Sequence, residues 1–168
     1  MRYNKLQQVQ VALRSSLLHT CVSIELSSAT AYQQLHDVLQ KTVQQIKMEE
    51  QLIFPLIFDY EPSVWDVFTR QHHKLMNQVR HLQSLLHELS ILGADADGEI
   101  FSDIQQAFEY FMSVSFQHMD EEEEVLNEIL WRYYNDDELM RLGKEQESMV
   151  SFLQQYNAPK TLQPATAA

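Results

Sequence analysis

A chain of 168 residues that is 45% hydrophobic and 21% charged is long enough for one domain with a sizeable core. Its net charge of −12 argues against nucleic-acid binding, which draws most of its affinity from neutralising phosphates with Lys and Arg. Cys21 is the only cysteine, which excludes an internal disulfide and a thiolate metal cluster. The longest uninterrupted apolar run, LIFPLIF at residues 52–58, falls far short of the roughly 20 residues a membrane span needs. The N-terminal MRYNKLQQVQ carries no apolar signal core, so the expectation is a cytoplasmic protein without membrane association.

Three glycines and four prolines leave few places for turns, which favours a few long helices. Between residues 5 and 28, Leu6, Val9, Leu13, Leu17, Thr20 and Ile24 fall at spacings of three and four, the mark of one buried helical face. SSAT, residues 27–30, reads as the break, with its hydroxyls as caps for the next helix. The second helix is expected over Ala31 to Phe58 with the stripe Leu35, Val38, Thr42, Gln45, Glu49, Leu52 and Leu56. Pro62 should end it, and Ser63 is the expected N-cap of a third helix carrying Phe68, His72, Leu75, Val79, Leu82, Leu86 and Leu89.

GADADG, residues 93–98, is the clearest loop. The fourth helix follows it, with Phe101, Ile104, Phe108, Phe111, Ser115, His118, Glu122, Val125 and Ile129 on one face. Residues 135–156 read as one or two short packing helices capped by Asn135 or Asp136 and interrupted at Gly143. The composition of residues 157–168 predicts a mobile tail, leaving residues 1–156 as one domain. Four long helices with short connections predict an all-α, antiparallel up-down-up-down four-helix bundle with a short C-terminal helical extension. An internal repeat agrees with this layout: a shift of 73 residues lays Gln45 on His118, Glu49 on Glu122 and Leu52 on Val125.

His118 and Glu122, four apart, lie one above the other on a helix and can offer an imidazole nitrogen and a carboxylate to one ion. Iron, manganese and zinc accept that pair. The competing explanation is a His–Glu pair without metal, or a Glu122 at the wet edge of the stripe, as the run DEEEE at residues 120–124 suggests. His72 adds weight to the metal. It lies 46 residues before His118, and their midpoint, residue 95, falls inside the GADADG loop, so the two should face each other across an antiparallel hairpin. His73 points about 100° further round and is expected to be exposed. The same construction places residues 7–13 of the first helix opposite Gln45 and Glu49. No histidine is found there: Leu6, Gln7, Gln8, Val9 and Gln10 are what the sequence offers, and His19 lies about 15 Å further along the axis. His19, His36, His81 and His87 read as ordinary polar positions.

These stretches resemble the hemerythrin-like proteins with the HHE cation-binding domain. QHMDEEEEVLNEILW looks like that family's second His-x-x-x-Glu helix, HHKLMNQV like its preceding histidine helix, and KMEEQLIFPLI like its first carboxylate helix. LWRYYNDDEL resembles the ending of a bacterial branch, and the resemblance spans residues 5–142. It implies a four-helix bundle around a non-haem di-iron centre, with His72, His118, Glu122 and Glu49 as metal ligands. Two histidines of the pattern are missing: one stands as Gln45, and the first helix has none. The implied site is therefore reduced, with one iron ion rather than two, or zinc, and with a vacant position that suits binding or sensing dioxygen or nitric oxide, or handling iron, rather than enzymatic turnover. The partner would be a second copy or another protein.

The rival reading is a metal-free bundle for protein interaction or stress signalling, with the same four side chains as a buried polar network. A ferritin-like oxidase fits less well, because Glu follows His by four here instead of preceding it by three. Trp65, Phe68, Trp131, Tyr133 and Tyr134 could cover the end of the bundle or pair subunits, and core packing is the commoner use of such residues.

Overall fold

The structure, a computed structural model, describes residues 5–25, 30–141, 144–145 and 148. Every regular element among them is helical: α1 (Lys5–Glu25), α2 (Ala31–Leu52), α3 (Phe54–Phe58), α4 (Pro62–Leu92) and α5 (Gly98–Tyr133), with a 3-10 turn at Gly93–Asp95. Residues 136–141 are helical as well. None of the helices is long and apolar enough to cross a membrane among the described residues. α1 packs on α2 and α5, and α4 packs on α5 and α2, while the short α3 lies against α4 and α5.

The predicted stripes face inward with local exceptions. Leu13, Leu17 and Thr20 of α1 are buried, as are Leu35, Val38, Thr42, Gln45 and Glu49 of α2 and Phe68, His72, Leu75, Val79 and Leu82 of α4. The side chains of Leu6 and Val9 lie outside the description. Toward the C-terminal end of α4 the buried face passes to Leu85, leaving Leu86 and Leu89 half-buried. At the start of α5, Ile100 is buried and Phe101 is exposed, its ring tilted against that of Tyr32 with centroids 5.9 Å apart. An α-helix turns 100° per residue, so a stripe drawn one position out is rotated by that much at the helix end.

The second predicted helix is divided. Pro55 has no N–H to donate to the α2 ladder and its ring crowds the preceding turn, so α2 ends at Leu52 and α3 starts at Phe54. Ile53 bridges the two, donating to Glu49 O at 2.9 Å and accepting from Leu56 N at 3.0 Å. α4 likewise begins differently from expectation: Pro62 itself occupies the first turn, where a missing N–H costs nothing, and Ser63 is not the cap.

Asp97 caps α5, its Oδ1 accepting from Glu99 N at 3.0 Å and Ile100 N at 3.4 Å. Gly93 ends α4 at φ 53, a backbone conformation that costs a side-chain-bearing residue free energy even though open space surrounds it. Asn135 does cap the following segment: its Oδ1 accepts from Glu138 N at 3.0 Å, and Glu138 returns a carboxylate to Asn135 N at 2.8 Å, a reciprocal capping box. Thr30 stands at the N-cap of α2, but its hydroxyl accepts from the Gln34 amide at 3.3 Å rather than from the helix backbone. The expected breaks at Ser27, Ser28 and Gly143 and the expected tail at residues 157–168 lie outside the described residues.

Two apolar clusters fill the interior. One contains Leu17, Leu35, Leu39, Leu75, Leu82, Ile104, Phe108 and Phe111. The other, at the opposite end, contains Ile53, Phe54, Ile57, Phe68, Leu126, Ile129 and Leu139, with Trp65, Trp131 and Tyr134 packed against it. The aromatic residues thus cover an end of the helical assembly, and Tyr133 stacks on Tyr60 at 4.1 Å beside it. Replacing Asp97 with Ala removes two charge-assisted bonds to helix-terminal amides and should lower stability by about 1 kcal/mol. Urea unfolding would measure this; an unchanged midpoint would mean that the cap contributes nothing to the α4–α5 connection.

Candidate metal centre

Between the two apolar clusters lies a polar layer. It lies between Ile46 of α2 and Ile53 beyond that helix's end, on α4 between Phe68 and Leu75, and on α5 between Phe111 and Leu126. Helical periodicity brings Glu49, His72, His118 and Glu122 inward at this level, and all four are buried. One ligand atom from each lies within 4.8 Å of the others. His72 Nε2 is 3.3 Å from Glu49 Oε2 and 3.6 Å from Glu122 Oε1, and His118 Nε2 is 3.4 Å from the same Glu122 oxygen. Four ligand atoms about 2.0–2.2 Å from a tetrahedral ion are about 3.3–3.6 Å from one another. These three separations match the edges of such a tetrahedron.

The outer atoms of the four side chains are held. Gln10 of α1 donates its amide to Glu122 Oε2 at 3.0 Å, and Gln45 donates to Glu49 Oε1. Gln71 Oε1 lies 2.8 Å from His118 Nδ1; an amide oxygen only accepts, so Nδ1 carries the hydrogen and the Nε2 lone pair is turned toward the centre. Gln71 is in turn held by Glu121, which also accepts from Gln117. Glu50 Oε1 stands 3.2 Å from His72 Nδ1, a carboxylate behind an imidazole of the kind that orients metal ligands. Phe54, brought to this level by the break at Pro55, stacks on the His72 ring at 4.6 Å.

The inner atoms are left over. Glu49 Oε2, Glu122 Oε1 and His72 Nε2 are buried without a well-formed hydrogen bond, because the approaches between them are those of ion pairs and not of aligned donors and acceptors. Leaving such an atom unsatisfied costs about 1–3 kcal/mol, more where it is charged. A cavity of about 20 Å³ adjoins them, lined by His118, Glu49, Glu122, Gln45 and Ser115 with apolar neighbours that include Leu13 and Met119. That is room for about one water molecule.

The electrostatics divide the histidines. Burial pulls His72 down, but its polar contacts with Glu122 and Glu49 and their charges outweigh this and hold it up at about 10. His118 is pushed down to about 3 by burial and then by repulsion from His72. Burial and the neighbouring Glu49 charge push Glu122 upward, against the pull of His72 and Gln10.

The structure therefore brings together all four residues expected from the sequence and places His73, His19, His36, His81 and His87 on the surface. Gln10, Glu50, Gln71 and Phe54 were not assigned roles from the sequence. For Gln10 the hairpin construction had already marked the level, and only the side chain's donor role was missing. Gln71 and Glu50 each adjoin a ligand in sequence, which is the one signal that could have raised them.

Fold and site together define an all-helical protein with a buried cluster of two histidines and two glutamates. By sequence, the chain belongs to the family described as protein of unknown function (DUF494), whose pattern matches residues 67–164. No curated protein and no solved structure matches it. The resemblance to hemerythrin-like HHE proteins is thereby corrected. His-x-x-x-Glu on one helix facing a histidine on the next is what any helical hairpin needs to bring these groups one turn apart, so the spacing reports geometry and not ancestry. The matched region contains His72, His118 and Glu122, while Glu49 lies before it.

In the metal-free protein, folded His72 keeps its proton over the interval from about 6.5 to about 10, where the unfolded side chain releases it. The stability this contributes is complete below pH 6.5 and is lost as the pH rises toward 10. Thermal melts of chelator-treated protein should show a falling Tm over that interval, and His72→Gln should flatten the fall. An equally steep fall in the variant would show that His72 is not the titrating group.

Proposed function

We propose that the protein binds one divalent metal ion, iron(II) or zinc, through His72 Nε2, His118 Nε2, Glu49 Oε2 and Glu122 Oε1. The observation that carries this reading is the convergence of four buried ligand-type atoms, three of them unsatisfied and three of their separations of tetrahedral-edge length, backed by partners that hold the opposite side of each ligand. Two carboxylates neutralise one divalent ion, which would compensate the burial that otherwise makes this layer costly. We read the four long helices as an up-down-up-down four-helix bundle, supported by the packing of α1 on α2 and α5 and of α4 on α5 and α2.

The adjoining cavity favours a small exogenous ligand at the centre, of the size of water, dioxygen or nitric oxide. A bound ion would supply an acceptor position for it. The chain's own groups would orient and enclose it: His118 and the two carboxylates form one wall, and Leu13, Ile46, Leu75 and Met119 exclude bulk water. Binding or sensing of such a small ligand fits a cavity of this size better than turnover of a larger substrate. The competing metal-free network has one observation in its favour, since a protonated His72 between Glu49 and Glu122 already offsets part of their charge.

Elemental analysis separates the two. Protein expressed with iron, and again after anaerobic Fe(II) or Zn(II) reconstitution, should hold about one ion per chain. His118→Ala should weaken binding by more than the roughly 10–100-fold that loss of an outer-shell partner costs. Metal absent from the wild type under every condition would leave the polar network as the function of these residues in folding alone.

A further inference from the structure

The two halves of the polar layer are related in position but not in chemistry. Glu49 on α2 and Glu122 on α5 correspond under the 73-residue repeat, and so do Gln45 and His118. Across the layer, His72 of α4 approaches Glu49 and Gln10 of α1 approaches Glu122. One side of the layer thus presents two imidazoles to the carboxylates, and the other presents two amides.

The amides approach with their N–H groups, as they must beside carboxylates, and each captures one carboxylate oxygen. An N–H is a donor and cannot ligate a cation. Gln10 Oε1 and Gln45 Oε1 are left buried without partners, as is Ser115 Oγ. Gln45 and Ser115 line the small cavity on this side of the layer. A second cation placed there would have to share Glu49 and Glu122 with the first and would meet only neutral oxygens besides, and the two carboxylates are sufficient for one divalent charge. A second ion would leave two positive charges uncompensated in a buried layer, at a prohibitive cost.

We propose that Gln10 and Gln45 are the residues that limit the centre to one ion, by holding each glutamate to a single free oxygen and by adding no negative charge beside the two carboxylates. The inference rests on the metal reading above. They are positioning residues: they act on the ion through Glu122 and Glu49.

Glutamate has the shape of glutamine, so Gln10→Glu with Gln45→Glu supplies the missing charge and ligand atoms with little change in packing. The test is titration of anaerobic full-length protein with Co(II), with stoichiometry read from visible absorption and elemental analysis. The wild type should saturate at about one ion per chain and the double variant at about two. One ion in both, or two in the wild type, would overturn the role of the glutamines while leaving the metal site standing; none in the wild type would overturn the metal reading itself. Should the doubly charged variant fail to fold, Gln10→Leu provides a second readout. Freed of its clamp, Glu122 can bind with both oxygens, so the intense absorption of four-coordinate Co(II) should weaken toward that of a higher-coordinate ion. An unchanged spectrum would overturn the clamp.

Discussion

Two carboxylates buried at one level of a helical protein are the constraint to which the rest of the structure answers. Neither Glu49 nor Glu122 reaches solvent, and each charge has to be met by neighbouring dipoles, by histidine or by a cation. One oxygen of each is met by a glutamine amide from α1 or α2. The other faces imidazole nitrogens at ion-pair distance. Every long helix therefore contributes a side chain to this layer, and changing the rotation of any one of them would break a contact there.

The apolar clusters above and below have a second effect besides burial. By excluding water on both sides they lower the local dielectric, which strengthens the His72–Glu49 interaction and makes each unpaired atom more costly. Phe54 and Phe68 connect the lower cluster to the layer directly: Phe54 lies flat on His72, and Phe68 meets His118 edge-on at 6.0 Å. Pro55 matters here at a distance, because by ending α2 it allows Phe54 to start a new helix beneath the histidine. A backbone defect one turn below the layer is thus part of how the ring is held.

Membership of DUF494 carries no activity with it, so the chemistry has to be argued from the side chains themselves. Their arrangement is informative without ancestry. Ligand-type atoms point inward, and the faces that point outward are taken by Gln71, Glu50, Gln10 and Gln45. A network that served folding alone would be expected to close on itself, with each buried donor matched to an acceptor. Here the mismatch is concentrated at the centre.

The sequence by itself determined the helical class, the inward stripes of α2, α4 and α5, and the meeting of His72 with His118. Helical periodicity is local, and the GADADG loop fixes a reflection point for a hairpin, so residues equidistant from it must face each other. What tertiary structure decided lies where local rules are silent. The handover from Leu86 to Leu85 and from Phe101 to Ile100 reflects small rotations accumulated along long helices. The choice of Gln10 as partner of Glu122 depends on how α1 packs on α5, a contact between residues 112 apart that no spacing in the chain encodes. Periodicity tells which face of a helix is buried; only the packing of one helix against another tells which atom on that face meets which.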